Sequence, residues 1–218
     1  EQVRHGIEQL DARGYGCAAL LVDSIFSSDG IYADPDGFLK PAVEMLQAQG
    51  GLFIADEVQP GFGRTGQGMW GFSRHGVRPD VVTMGKPMGN GFPMSGLAAR
   101  EELLAVLNAD MGYFNTFGGS PVAVAAGTAV LDVIAEEDLM ANATRQGEYF
   151  KRQLQDIQAR FEEVSDVRGA GLFLGLDLCD PTRDGAPDAQ RTTALINDLK
   201  RNGVLIGRAG KSGSTLKI

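Results

Sequence analysis

An aspartate and a lysine, each following a short apolar run, are the residues of this sequence best suited to chemistry. Leu52–Ala55 leads into Asp56, and Val81–Met84 leads into Gly85-Lys86. Runs of this length bounded by Gly, Pro and Asp are the pattern of strands buried on both faces in a parallel sheet. In open parallel sheets, ligands bind just beyond the carboxyl ends of the strands. The pattern therefore delivers a carboxylate and an amine to one rim. The 30 positions between them (86 − 56) leave room for a crossover between parallel strands.

Two readings of such a pair stand on spacing alone. One is pyridoxal phosphate chemistry, which needs a lysine amine for a Schiff base and an acidic partner for the pyridine nitrogen, because the protonated ring is the electron sink. Lysine suits that task because burial of an ammonium favours the free base, the nucleophilic form. The other is a structural ion pair at a sheet edge.

The wording around the pair is more specific. ADEVQPGFGRTG followed by PDVVTMGKPMGNGFP closely resembles the class III, fold type I, pyridoxal-phosphate aminotransferases. The resemblance continues through FNTFGGSPVAVAAGTAVLDVI at Phe114–Ile134 and VRGAGLFLGLDL at Val167–Leu178, and so covers most of the chain. TMGKPMGNG and FNTFGGSP are most similar to the branch holding alanine–glyoxylate-type aminotransferases and amino-alcohol phosphate phospho-lyases. The resemblance implies pyridoxal 5'-phosphate as cofactor. It implies that Lys86 carries the Schiff base and then acts as general base, while Asp56 pairs with the ring nitrogen. Val58 would pack on the ring face and Gln59 would bond the ring hydroxyl. Thr116 would reach the cofactor phosphate of a neighbouring subunit, which implies a homodimer. The implied reaction moves an amino group between an amino acid or amine and a 2-oxo acid. The alternative on the same cofactor is a phospho-lyase, in which a carbanion expels a neighbouring phosphate. Without the resemblance, Val58 reads as core, Gln59 as a solvated loop residue and Thr116 as a turn residue. Asp23 departs from the pattern, since a Glu commonly stands there.

Members of that family are considerably longer. The sequence opens without Met in a helical pattern and ends on TLKI, an uncapped strand. The expectation is a C-terminal half. The phosphate cup and ring-stacking aromatic would precede Glu1, and the substrate arginine would follow Ile218. An inert half-domain is therefore a third reading.

Composition sets the outer bounds. The 218 residues, 43% hydrophobic, suffice for one sizeable core or one and a half domains. A net charge of −8 argues against nucleic-acid or anionic-membrane partners. No apolar run reaches the ~20 residues of a membrane span. No signal-peptide pattern opens the sequence. Two cysteines, Cys17 and Cys179, fit a reducing cytoplasm better than a disulfide scaffold.

The elements that must position the pair follow from periodicity. Helices are expected over Glu1–Arg13, Ala42–Gln49, Glu101–Asn108, Val122–Ile134 and Ala189–Arg201. Strands are expected at Cys17–Val22, Val204–Ile206 and Thr215–Ile218 besides the two central runs. Leu172, Leu174, Leu176 and Leu178 alternate as a half-buried antiparallel strand, and Phe150, Leu154, Ile157 and Phe161 form a core stripe. The fold class is α/β. Residues 1–135 are expected to be part of a large parallel-sheet domain, and residues 136–218 a smaller α+β C-terminal domain. Gly61–Gly66 spells G-x-G-x-x-G, but Pro60 precedes it and no helical pattern follows, so a dinucleotide site is rejected. Arg168 reads as a salt-bridge residue rather than a carboxylate binder. His5 and His75 receive no role, and no metal-ligand cluster is present.

Overall fold

The computed structural model describes residues 1–218, which divide into two compact units, each with its own sheet. One unit comprises residues 1–24, 37–62 and 72–138. The other comprises residues 25–36, 63–71 and 139–218.

The first unit contains α1 (Gln2–Ala12), β1 (Ala19–Asp23), α2 (Lys40–Gln47), β2 (Leu52–Asp56), β3 (Val81–Met84), β4 (Gly96–Ala99), α3 (Glu101–Asp110) and α4 (Pro121–Glu136). Its sheet runs β1-β2-β3-β4, with the first three strands parallel and β4 antiparallel to β3. Gly50, at φ 82°, ends the α2 turn, and Gly51 begins the return. A Cβ at Gly51 would sit 2.5 Å from Leu46 Cδ1, so only glycine lets β2 start so close under α2. Val43 on α2 then packs on Phe53 and Ala55. The expectation that both central runs are buried on both faces holds only for alternate residues of β2. All four residues of β3 are half-buried, because α2 covers β1 and β2 and β3 lies beyond it.

Asp80 ties the amino ends of these strands together. It is 7% exposed, and its carboxylate accepts the Phe53 N–H at 2.7 Å and the Gln47 amide at 3.3 Å. Its own N–H donates to the Phe53 carbonyl, and Arg100, at the end of β4, lies 3.2 Å from its second oxygen. One side chain thus joins α2, β2 and β4 at the entry to β3.

The second unit contains α5 (Leu139–Gln158), β5 (Val164–Ala170), β6 (Phe173–Asp180), β7 (Ala186–Pro187), α6 (Ala189–Arg201), β8 (Gly207–Ala209) and β9 (Thr215–Lys217). The sheet order is β5-β6-β9-β8, all antiparallel, with β7 on β6. The leucine alternation is real, but β6 is buried on both faces rather than one. Leu174, Leu176 and Leu178 join Leu154, Val164, Val167 and Leu216. On the opposite face Phe173 packs with Ile25, Ile31 and Ala33. Leu172 precedes the strand and is exposed. The expected α5 stripe is narrower than its sequence spacing. Leu154 is buried, but Phe150 is exposed, and Phe161 lies beyond the helix and is exposed too. Val204–Ile206 is not a strand. The Val204 N–H returns to the Leu199 carbonyl around Gly203 at φ 84°, which commits Val204 to the α6 terminus, and β8 starts only at Gly207.

Replacing Asp80 with Ala strands the buried Phe53 N–H and removes one of the two acids paired with Arg100, leaving Glu102. The expected loss is about 1–3 kcal/mol, read as a lower urea midpoint at unchanged m-value. An unchanged midpoint would remove Asp80 from this role.

Candidate active site at the sheet rim

The parallel register sets the rim residue by residue. Asp23 pairs with Asp56, and Asp56 pairs with Thr83. Asp56 Oδ1 accepts the Val58 N–H at 3.0 Å and the Thr83 hydroxyl at 3.4 Å. The first bond is the local turn that an aspartate makes with the second residue after it. Oδ2 makes no hydrogen bond within the chain and belongs to a half-buried residue. The carboxylate is therefore held by one oxygen and available through the other.

Glu57 points the opposite way because successive strand residues alternate faces. It is fully buried, and its carboxylate accepts the Ser24 hydroxyl at 3.3 Å and the Phe72 N–H at 3.0 Å. Its N–H donates to the Thr83 carbonyl at 2.9 Å. Of the two adjacent acids, Glu57 anchors the strand end and Asp56 faces the rim. Thr83, Ser24 and Glu57 were missed in the sequence. Thr83 carries a usable signal, since a threonine three residues before the lysine falls opposite Asp56 once the two strands are aligned.

Lys86 begins a 3-10 turn, Lys86–Gly89, closed by the Met88 N–H on the Gly85 carbonyl at 2.8 Å. Its φ of 26° lies in the left-handed region, a costly conformation for a non-glycine residue and one that concentrates at functional sites. The expectation of a buried lysine is corrected: Lys86 is exposed, because it stands past Met84, the last paired residue of β3. Its amine makes no ion pair with Asp56 or any other acid, so the structural ion-pair reading fails. Gly127 on α4 seats that helix against the turn. A Cβ there would lie 3.1 Å from Met94 Cε and 3.6 Å from the Met88 carbonyl.

The other expected residues fall as follows. Val58 is half-buried, and its side chain is the nearest group to Gly85, 3.7 Å from where a Cβ would be. Val58 therefore abuts the peptide that carries Lys86. Gln59 is half-buried in the turn after β2. Thr116 is exposed between α3 and α4, and its hydroxyl makes no bond within the chain. Asp23 is the half-buried last residue of β1. No three His, Cys, Asp or Glu side chains gather as a metal-ion site, and no helix is long and apolar enough to cross a membrane.

Arg168 is a salt-bridge residue, and the second unit is built around it. The guanidinium bonds the Gly30 and Ile31 carbonyls at 2.9 and 3.0 Å through Nε, and both Asp166 and Asp177 at 2.6 Å through Nη1. Nη2 reaches Gly30, Asp177 and Thr215, and the Tyr32 ring stacks 4.5 Å away. Burial alone would lower its pKa, but the hydrogen bonds and charges of Asp177 and Asp166 outweigh that and raise it. Every N–H is used, so none is left for a substrate. The carbonyls it holds include that of Ile31, a β-branched residue at φ 63°.

A parallel-sheet rim presenting one open carboxylate oxygen and one uncommitted lysine amine fits the chemistry of a pyridoxal-phosphate enzyme. The family description "Aminotransferase class-III" matches residues 2–218, and the chain belongs to that family. It is similar to ethanolamine-phosphate phospho-lyase homolog 1 of Caenorhabditis elegans, at 38% identity over all of this chain and 47% of that protein. It is also similar to human mitochondrial alanine–glyoxylate aminotransferase 2, at 41% identity over 92% of this chain and 39% of that protein. A solved phospholyase from Arthrobacter, in complex with phosphoethanolamine, superposes at TM-score 0.95 with 43% identity, over 100% of this chain and 51% of its own. The chain thus spans about half the length of these relatives.

Arg168→Ala removes the donor to Asp166 and to the Gly30 and Ile31 carbonyls, and leaves Asp177 with the Thr215 hydroxyl. A loss of about 3–5 kcal/mol is expected, seen as a strongly lowered thermal midpoint. A variant of wild-type stability would contradict the network described.

Proposed function

We propose that the protein containing this chain is a pyridoxal-phosphate-dependent aminotransferase, exchanging an amino group between an amino acid or amine and a 2-oxo acid. The observation that carries this reading is the Asp56 carboxylate, anchored through Oδ1 and open at Oδ2, on the rim from which Lys86 departs. When bound, the cofactor supplies an electron sink that makes the hydrogen on the substrate's amine-bearing carbon acidic.

The chain's own residues then take separate tasks. Lys86 would hold the cofactor through its amine, and as a free amine Nζ would be placed to remove that proton and return it elsewhere. Asp56 Oδ2 accepts the ring N–H and holds the ring charged. Val58 supports the ring face beside Gly85. Gln59 bonds the ring hydroxyl. Thr116 bonds the cofactor phosphate in the site of a second copy. Supporting that last role, the segment around Thr116 projects apolar side chains, with Phe114 86% and Phe117 85% exposed. A monomer rarely leaves such a cluster uncovered, and a homodimer would bury it. We take residues 1–135 as part of the large domain and residues 136–218 as the small one. We place the protein in a reducing compartment, the cytoplasm, on its two free cysteines; the human relative is mitochondrial by name.

The likeness to the Arthrobacter phospholyase favours a second reading, elimination of phosphate from an amino-alcohol phosphate. The longest natural chain containing residues 1–218 decides between them. An amino donor with a 2-oxo acid acceptor should give new amino acid, and Lys86→Ala should lower the rate by about 10²–10⁴-fold or more. Phosphate release from amino-alcohol phosphates without amino transfer would establish the lyase. Neither reaction, from a protein that binds the cofactor, would overturn both.

A further inference from the structure

Two cations converge on one buried ring in the second unit. Phe173, the first residue of β6, is 3% exposed. The Arg64 guanidinium carbon lies 5.6 Å from its centroid and the Lys217 ammonium 5.2 Å from it. The backbone holds both in place. The Arg64 carbonyl accepts the Leu172 N–H at 2.9 Å, and a Cβ at Gly171 would come within 2.4 Å of that same carbonyl. The turn at Arg64 is therefore pressed against the β5–β6 turn at a point where only glycine fits. Lys217 stands opposite Gly175 on β6, two residues along from Phe173 and on the same face.

This arrangement lacks a countercharge for Arg64. Its guanidinium makes no hydrogen bond and no ion pair; the ring is its sole partner. The groups packed on Phe173 are Ile25, Ile31, Ala33 and Ala170, all apolar. A phenyl ring attracts a cation but does not neutralise it. Burial lowers the Arg64 pKa with no acid to oppose it. Arg168 in the same unit shows the contrast: it is compensated by two aspartates. Fixed, partly desolvated and with its donors unspent, Arg64 has the properties of a group kept for a ligand. Arginine's planar fork matches carboxylate and phosphate oxygens.

We propose that Arg64 and Lys217, positioned by Phe173, form an oxyanion-binding site that takes a carboxylate or a phosphate monoester. Arg64 supplies the paired N–H donors and Lys217 a second positive charge, while the ring fixes both and excludes water from one side. The proposal does not depend on the aminotransferase reading, since it concerns binding alone.

The test is isothermal titration of the longest natural chain containing residues 1–218, using inorganic phosphate, O-phosphoethanolamine and propionate as separate probes. Each titration is repeated on Arg64→Gln and Lys217→Gln. The expected result is binding weakened about tenfold or more by Arg64→Gln, with a smaller loss for Lys217→Gln and unchanged thermal midpoints. Loss confined to the phosphate-bearing probes assigns the site to phosphate monoesters, and loss confined to propionate assigns it to carboxylates. Binding that is absent for all three probes, or equal in wild type and Arg64→Gln, overturns the proposal. If Arg64→Gln fails to fold, Arg64→Lys replaces it: a lysine keeps the charge but loses the fork, and affinity should again fall.

Discussion

The pairing of β2 with β3 is the constraint on which the site depends. It places Thr83 beside Asp56, and the threonine hydroxyl together with the Val58 N–H commits one carboxylate oxygen and leaves the other open. Strand side chains alternate with a period of two, so a slip of one residue would send Asp56 inward and turn Glu57 to the rim. Glu57 guards against that slip, because its buried carboxylate accepts from Ser24 and Phe72 in this register. Asp80 holds the register from the other end. Two buried acids thus fix the position of a third, Asp56, at the rim.

The second unit answers the same problem with one cation. Arg168 gathers Asp166, Asp177 and two backbone carbonyls of the 25–36 segment around itself. The buried, strained Ile31 persists because its surroundings over-determine it: its N–H and carbonyl are both bonded and its side chain packs under Phe173. Beside it lies a network in which no polar atom of the arginine is left over.

The pattern of the sequence made some of this legible and hid the rest for physical reasons. Asp56 and Lys86 stood out because each follows an apolar run, and runs that end in a reactive side chain are rare. The five helices given bounds were legible to within a few residues, aided by Pro41, Gly50 and Gly203, whereas α5 showed only as an apolar stripe. The burial of β6 was not legible. Its second face is covered by Ile25, Ile31 and Ala33, which lie more than a hundred residues earlier, and no local period reports such a partner. The exposure of Phe150 and Phe161 was hidden for the same reason, as spacing marks a face without saying what meets it. Thr83 and Glu57 were passed over because their roles exist only after the strands are aligned. Arg64 sits inside a motif weighed for its glycines, and its missing countercharge is a property of space rather than of sequence.

We propose Lys86 as the attachment point of pyridoxal phosphate. The most direct test is reduction of the cofactor-loaded natural chain with borohydride, followed by digestion and mass mapping. One pyridoxyl adduct is expected, on the peptide carrying Lys86, reduced in a chain with Asp56→Asn in proportion to lost cofactor. An adduct on another lysine, or none from a chain that has bound the cofactor, would contradict it.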